Sequence, residues 1–170
     1  MEKGILIEPV INDQIHGIAI QAKKFSLNLK ISNHFDDPSE KFTISSIVIS
    51  SESGQNLEDD FGKKTFFVDV INPGNSIIIK IGENGLFIRG LVGINMLIKP
   101  NDVSKQIVFL QKNPFTKEIT KIGINKWADF FYMKSSSEYR QEISTKWIIT
   151  LTWATAFFAL IQVISILFFR

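Results

Sequence analysis

A chain of 170 residues has room for one domain of ordinary size and an appendage, and its length argues against a second independent core. Its 19 basic and 17 acidic residues balance too evenly for the concentrated basic face that nucleic-acid binding needs, so no nucleic acid is expected as a partner. The absence of cysteine excludes a thiol nucleophile, a disulfide framework and a cysteine-ligated zinc or iron–sulfur site.

The opening stretch, MEKGILIEPVINDQ, has an acidic residue at position 2, and Glu8, Pro9 and Asp13 break its apolar run too soon for the hydrophobic region of a signal peptide. Apolar residues then alternate in short runs bounded by turn formers, the pattern of half-buried strands. In KFSLNLKISNHF, Phe25, Leu27, Leu29 and Ile31 face one way while Ser26, Asn28, Lys30 and Ser32 face the other. The next run, KFTISSIVIS, begins with Phe42 and Ile44 in one parity and continues with Ile47 and Ile49 in the other, which predicts a β-bulge near Ser45 and Ser46.

After the polar loop SESGQNLEDDFGKK come TFFVDVI, the turn NPGN, and SIIIKI with Ile77, Ile79 and Ile81 alternating. LFIRGLVGINMLI reads as one long strand with kinks at Gly90 and Gly93 or as two short ones, and KQIVFL supplies a last strand. Seven or eight evenly spaced short strands predict a mainly β domain over 1–112, an antiparallel β-sandwich whose two sheets bury their apolar faces against each other.

Two of these stretches resemble the immunoglobulin-like sandwiches of the CARDB and major-sperm-protein type. In those families a strand ending in an asparagine-containing turn, here LNLKISNHF, is followed about 40 residues later by a Pro-Gly turn that leads into a strand, here INPGNSIIIKI. The likeness covers about residues 20 to 110 and implies an immunoglobulin-like fold. A cytoplasmic sandwich on a C-terminal anchor is also the layout of the vesicle-associated-membrane-protein-associated proteins of the sperm-protein group. Their basic peptide-binding site finds no residue-by-residue match here, and their ligand is not carried over.

Residues 113–146 read as a connector. NKWADFFYMK sets Trp127, Phe130, Phe131 and Lys134 on one helical side, which predicts an amphipathic segment resting either at the headgroup boundary or on the sandwich. Ser135 and Glu138 stand at capping-box spacing, so a helix is expected to start near Ser136 and to run unbroken into the following segment.

From Trp147 to Phe169 the chain carries no charge, and as a helix these 23 residues would span roughly 34 Å, enough to cross a hydrocarbon core of about 30 Å. Trp147 is the expected interfacial anchor, and the lipid bilayer the expected partner of 147–169. Lys126, Lys134, Arg140 and Lys146 precede the span and only Arg170 follows it, so the positive-inside tendency places the N-terminal domain in the cytoplasm of a single-pass, tail-anchored protein. Thr152, Thr155, Ala159 and Gln162 recur at helical spacing as a small or polar stripe, expected to pack another helix in an oligomer or membrane complex.

No motif supplies chemistry. His16 and His34 have no cysteine with which to share a metal, and GENG and GLVG read as a turn and as strand kinks rather than a phosphate loop. Asp36, Asp37, Asp59 and Asp60 offer oxygen ligands without the spacing of a calcium loop, and solvated acidic loops are the simpler reading. No enzyme, cofactor or metal is expected. The expected function is an anchored adaptor or accessory subunit whose sandwich binds a protein or peptide. The alternatives are an extracellular calcium- or carbohydrate-binding module, a membrane-anchored enzyme, and a purely structural subunit.

Overall fold

The computed structural model describes residues 2–52, 56–57 and 64–168. In chain order the elements are β1 (Ile5–Ile11), β2 (Gln14–Ile15), β3 (Ile18–Ile20), β4 (Phe25–Asn33), β5 (Phe42–Ser51), β6 (Asn56–Leu57), β7 (Phe66–Val68), β8 (Ser76–Asn84), β9 (Gly90–Pro100), β10 (Val108–Lys112), β11 (Ile119–Ile124), β12 (Lys126–Lys134) and α1 (Ser136–Phe168). The chain divides into two units, Met1–Ser135 and Ser136–Arg170.

The first unit is a mainly β, two-sheet sandwich. One sheet runs β11-β10-β1-β4-β8, with β2 also paired to β1; the other runs β3-β12-β9-β5-β6, with β7 also paired to β5. Pairing is antiparallel except at β1 with β10 and at β3 with β12, where an early strand meets a late one in parallel. Parallel neighbours need long connections, and these two have most of the chain between them.

Alternation sets the core. Phe25, Leu27, Leu29 and Ile31 of β4 are all buried. In β5 the ladder shifts between Ser45 and Val48, and Ser46 takes a left-handed backbone with φ of 51°. This bulge returns Phe42, Ile44, Ile47 and Ile49 to one buried face. Phe25 of one sheet meets Phe131 of the other at 5.5 Å, and Phe42 meets Phe109 edge-on at 5.6 Å. Such pairs add about 0.5–1.5 kcal/mol each beyond their buried area.

Asn33, at the end of β4, ties two loops together, the one after β4 and the one after β7. Its amide donates to the carbonyls of Asp37 (2.9 Å) and Ile71 (2.8 Å), and its side-chain oxygen accepts from the Phe35 N–H (2.8 Å). Each backbone group left unpaired and buried by its loss would cost about 1–3 kcal/mol.

The structure differs from the sequence expectation over residues 113–134. These residues form β11 and β12 and belong to the sandwich, which therefore extends past 112 to Ser135. Trp127, Asp129, Phe131 and Met133 share one buried parity, while β12 pairs with β9 from Lys126 to Met133. Trp127 and Phe131 lie in the core, not at a headgroup boundary, because this pairing turns both side chains between the sheets. The larger number of strands comes from β11 and β12, one added to each sheet, and from the short pieces β2, β3, β6 and β7.

The second unit is one helix. It starts directly after Ser135, carries Glu138 in its first turn and runs without proline or glycine to Phe168. Its charged residues stop at Lys146, which pairs with Glu142 one turn earlier (3.0 Å). Beyond that point it is apolar all round, long and apolar enough to cross a bilayer and to anchor the chain there.

Candidate functional site

The site begins with a proline inside a strand. Pro9 lies mid-way along β1, where its missing N–H would break a ladder if it faced a neighbouring strand. Its carbonyl accepts the His16 N–H (2.8 Å), and the two backbone groups of a strand residue point to the same side. That side faces the β2 hairpin, because β10 pairs with β1 only at Ile5 and Leu6. The proline therefore sits where β10 has already diverged, and the β4 ladder on the other side keeps its register from Ile5 to Ile11.

Asn12 and Asp13, both at positive φ (48° and 64°), turn the chain tightly from β1 into β2. This matches a two-residue type I′ turn, for which Asn and Asp are suited because both tolerate the left-handed region. Gly17 follows His16; a Cβ there would collide with the carbonyl oxygens of Ile11 and Gln14. A side chain at that position is therefore excluded, and His16 is folded inward.

Inside, His16 Nε2 lies 3.9 Å from Oδ2 of Asp129, whose side chain is fully buried. Asp129 Oδ1 accepts from Gln111 Nε2 (3.0 Å) and from the Phe130 N–H (2.8 Å), while Oδ2 has no hydrogen-bond partner. Burial raises the Asp129 carboxyl above its ordinary range; the hydrogen bonds from Gln111 and Phe130 and the nearby His16 act against that rise, and Glu8 adds to it. Glu8 is itself buried, 3.8 Å from Lys112 Nζ and in register with Lys30 across the ladder.

Above this cluster opens a groove of about 730 Å³, lined by Ile15, His16, Ile18, Leu91, Pro114, Phe115, Phe130, Phe131 and Tyr132, with Glu8, Lys30, Lys112 and Lys117. One wall is built by the β10–β11 loop. Asn113 Oδ1 accepts the N–H groups of Phe115 (2.8 Å) and Thr116 (3.1 Å), an Asx turn that holds Phe115 outward at 77% exposure. Phe115 stacks on Phe130 with ring centres 6.2 Å apart. The arrangement is a preformed apolar recess with polar groups at its floor and lysines beside it, the make-up of a binding site.

No protein-family model matches the chain, and no curated protein matches it. Among solved structures, the CARDB domain of the PF1109 protein from Pyrococcus furiosus, in complex with di-metal ions, is similar over 79% of this chain and 94% of that one, at 9% identity and a TM-score of 0.40. The alkylpurine DNA glycosylase AlkC of Pseudomonas fluorescens, bound to DNA containing an abasic site analog, is similar over 79% of this chain and 31% of that one, at 11% identity and a TM-score of 0.35. The first agrees with the resemblance carried by LNLKISNHF and INPGNSIIIKI.

Of the residues singled out in the sequence as candidates, Phe130 and Phe131 line this groove, as does His16, which was weighed only as a metal ligand, and Trp127 is enclosed in the core. Trp147 is exposed on α1. Thr152, Thr155 and Ala159 line one shallow face of that helix with Ile148, Leu151 and Ala156. The hydroxyls of Thr152 and Thr155 donate to the carbonyls of Ile148 (2.8 Å) and Leu151 (2.9 Å), so they are satisfied within the helix. Asp36 pairs with Lys3, His34 donates its backbone N–H to Gly4, and Asp59 and Asp60 lie outside the described residues. Among the described residues, no three His, Asp or Glu side chains converge as a metal-holding group. Glu8, Gln111 and Asp129 were missed, and the one signal was an acid at a buried parity in KWADFFYMK.

The raised carboxyl has a definite pH signature. The folded form of Asp129 binds its proton more tightly than the unfolded form, whose value is near the ordinary 3.8. Stability contributed by this group is therefore present below 3.8 and is lost as pH rises from there through the raised folded value. Asp129→Asn removes the charge and keeps an oxygen for Gln111 and Phe130. Denaturant unfolding of the full chain in micelles, with Trp147 and Trp153 replaced by Phe so that fluorescence reports Trp127, should show the variant more stable at neutral pH by about 1 kcal/mol and with a flatter pH slope in that interval. An unchanged slope would refute this account of Asp129.

Proposed function

We propose that this protein is a bilayer-anchored β-sandwich that captures a segment of a partner protein in the groove above Asp129 and His16, working by binding rather than catalysis as an adaptor or accessory subunit of a membrane complex. The groove carries this reading: it is apolar, preformed by the Asn113 turn and the Gly17 bend, and walled by the exposed Phe115. Apolar recesses with a few placed polar groups are the usual sites of recognition, and exposed aromatics the usual anchors of a partner. A photoreactive phenylalanine analogue at Ile18, on the groove wall, should cross-link a discrete protein in intact membranes, and Phe115→Ser should abolish the adduct. Adducts that persist in the Phe115→Ser background, or adducts to lipid only, count against the groove as a protein site.

The domain lies on the cytoplasmic side in this reading. Lys126, Lys134, Arg140 and Lys146 precede the apolar stretch of α1, and short basic flanks stay inside. The chain has no cysteine, so one introduced at Val103, a side chain 93% exposed, reports topology cleanly. Val103→Cys should resist a membrane-impermeant thiol reagent in intact cells and react once they are permeabilised. Reaction in intact cells would reverse the orientation.

The stripe on α1 supports helix packing within the complex, with Gln162 the side chain that most needs a partner in hydrocarbon. Ala159 and the back-bonded threonines leave room for close approach, since their hydroxyls are already spent. Gln162→Leu should lower helix-mediated association in a bilayer by a few-fold, in line with about 0.6 kcal/mol for such contacts. Equal association of both forms removes Gln162 from the packing surface.

A further inference from the structure

We infer that the groove selects an acidic, apolar peptide: an extended segment in which carboxylates alternate with aromatic or branched aliphatic side chains. This rests on the reading of the groove as a protein-binding site and adds the chemistry of its occupant.

The charges are the first argument. Lys30, Lys112 and Lys117 border the groove, and Glu8 is the acidic residue that lines it. Glu8 is buried and 3.8 Å from Lys112, so its charge is matched by one lysine. Lys117 Nζ donates to the Pro114 carbonyl (2.6 Å), a contact that leaves its charge uncompensated. Lys30 has no ion-pair partner among the described residues. Two positive charges therefore remain beside apolar walls, where they attract a carboxylate of an incoming segment. The same charges repel a basic segment, and a neutral one would cover them without replacing their water.

The main chain is the second argument, and it favours a peptide over a compact ligand. β12 is paired with β9 along one side from Lys126 to Met133, but on its other side β3 covers only Tyr132–Lys134. At Phe130 and Phe131, which line the groove, β12 has no strand neighbour on that side among the described residues. An extended segment can lie along such an edge while alternate side chains reach the apolar wall and the lysines.

The test uses the full chain in nanodiscs and three pools of capped, fluorescent octapeptides. The pools share randomised Leu, Ile, Phe and Tyr positions and differ only in carrying Glu, Gln or Lys at the alternate positions. The Glu pool should bind, the Gln and Lys pools about tenfold or more weakly, and binding should fall several-fold as salt is raised from about 50 to about 300 mM. The double substitution Lys30→Gln with Lys117→Gln should weaken the Glu pool about tenfold, Lys117→Arg should preserve it, and Phe115→Ser should abolish it. Equal binding of all three pools, each lost with Phe115→Ser, leaves the groove a peptide site and overturns the acidic partner. Failure of every pool, or binding indifferent to Phe115→Ser, overturns both readings. Decanoate that titrates the groove in a Phe115-dependent way, with no peptide bound, makes it a site for anionic amphiphiles and overturns the peptide.

Discussion

A missing N–H at Pro9 sets the geometry from which the groove follows. Proline at residue 9 offers no donor through which β10 could continue its ladder alongside β1. Instead β10 leaves after Leu6, and the vacated side of β1 receives the β2 hairpin through the His16 N–H. The hairpin is short because Asn12 and Asp13 turn it in two residues, and it bends inward because Gly17 can approach the carbonyls of Ile11 and Gln14. The parting of β1 and β10 leaves the gap, and the loop after β10 rises beside it to carry Phe115. A backbone constraint on one residue thus opens the sandwich on one side, and the side chains brought to that opening decide what it can hold.

Most of the sandwich was legible because its strands obey a period of two. The alternation in KFSLNLKISNHF gave β4, and the parity switch in KFTISSIVIS placed the bulge at Ser46. α1 was legible through its length and its Ser135–Glu138 start. KWADFFYMK was read in the wrong period for a physical reason. Trp127, Phe130, Phe131 and Lys134 fit a helical face, whereas Trp127, Asp129, Phe131 and Met133 fit a strand only if an acid is accepted among buried positions. The strand won because pairing with β9 satisfies the backbone along its length and adds Trp127 and Phe131 to the core, gains that no local pattern reveals. The groove was not legible as a site: Glu8, His16, Gln111 and Asp129 are distant in sequence and meet only where β1, β10 and the bend after β2 pack against β12 of the other sheet.

Asp129 raises the question of why a costly group is kept in the core. Unmatched burial of a carboxylate is unfavourable, and its second oxygen has no hydrogen-bond partner. A slip of β12 by one residue would turn Asp129 out and bring Phe130 and Tyr132 in, removing both from the groove, while Gln111 and the Phe130 N–H would lose their acceptor. What holds the register is the core, since the same slip would turn Trp127, Phe131 and Met133 out of it, and the hydrogen bonds to Asp129 offset part of the cost of its burial.

The anchor changes what affinity the groove must supply. A domain tied to a bilayer meets partners in the same membrane at an effective concentration far above their bulk value, so a shallow, partly polar recess suffices where a free protein would need a deeper one. Long-range attraction from the uncompensated lysines acts over about 8 Å at physiological salt, which favours acidic segments already held nearby. The polar floor contributes selectivity rather than strength, since a group that displaces water from His16 and Glu8 without replacing its hydrogen bonds loses more than it gains. In the proposed function recognition is divided: the helix fixes where the encounter occurs, and the opening beside Pro9 fixes which segment is retained.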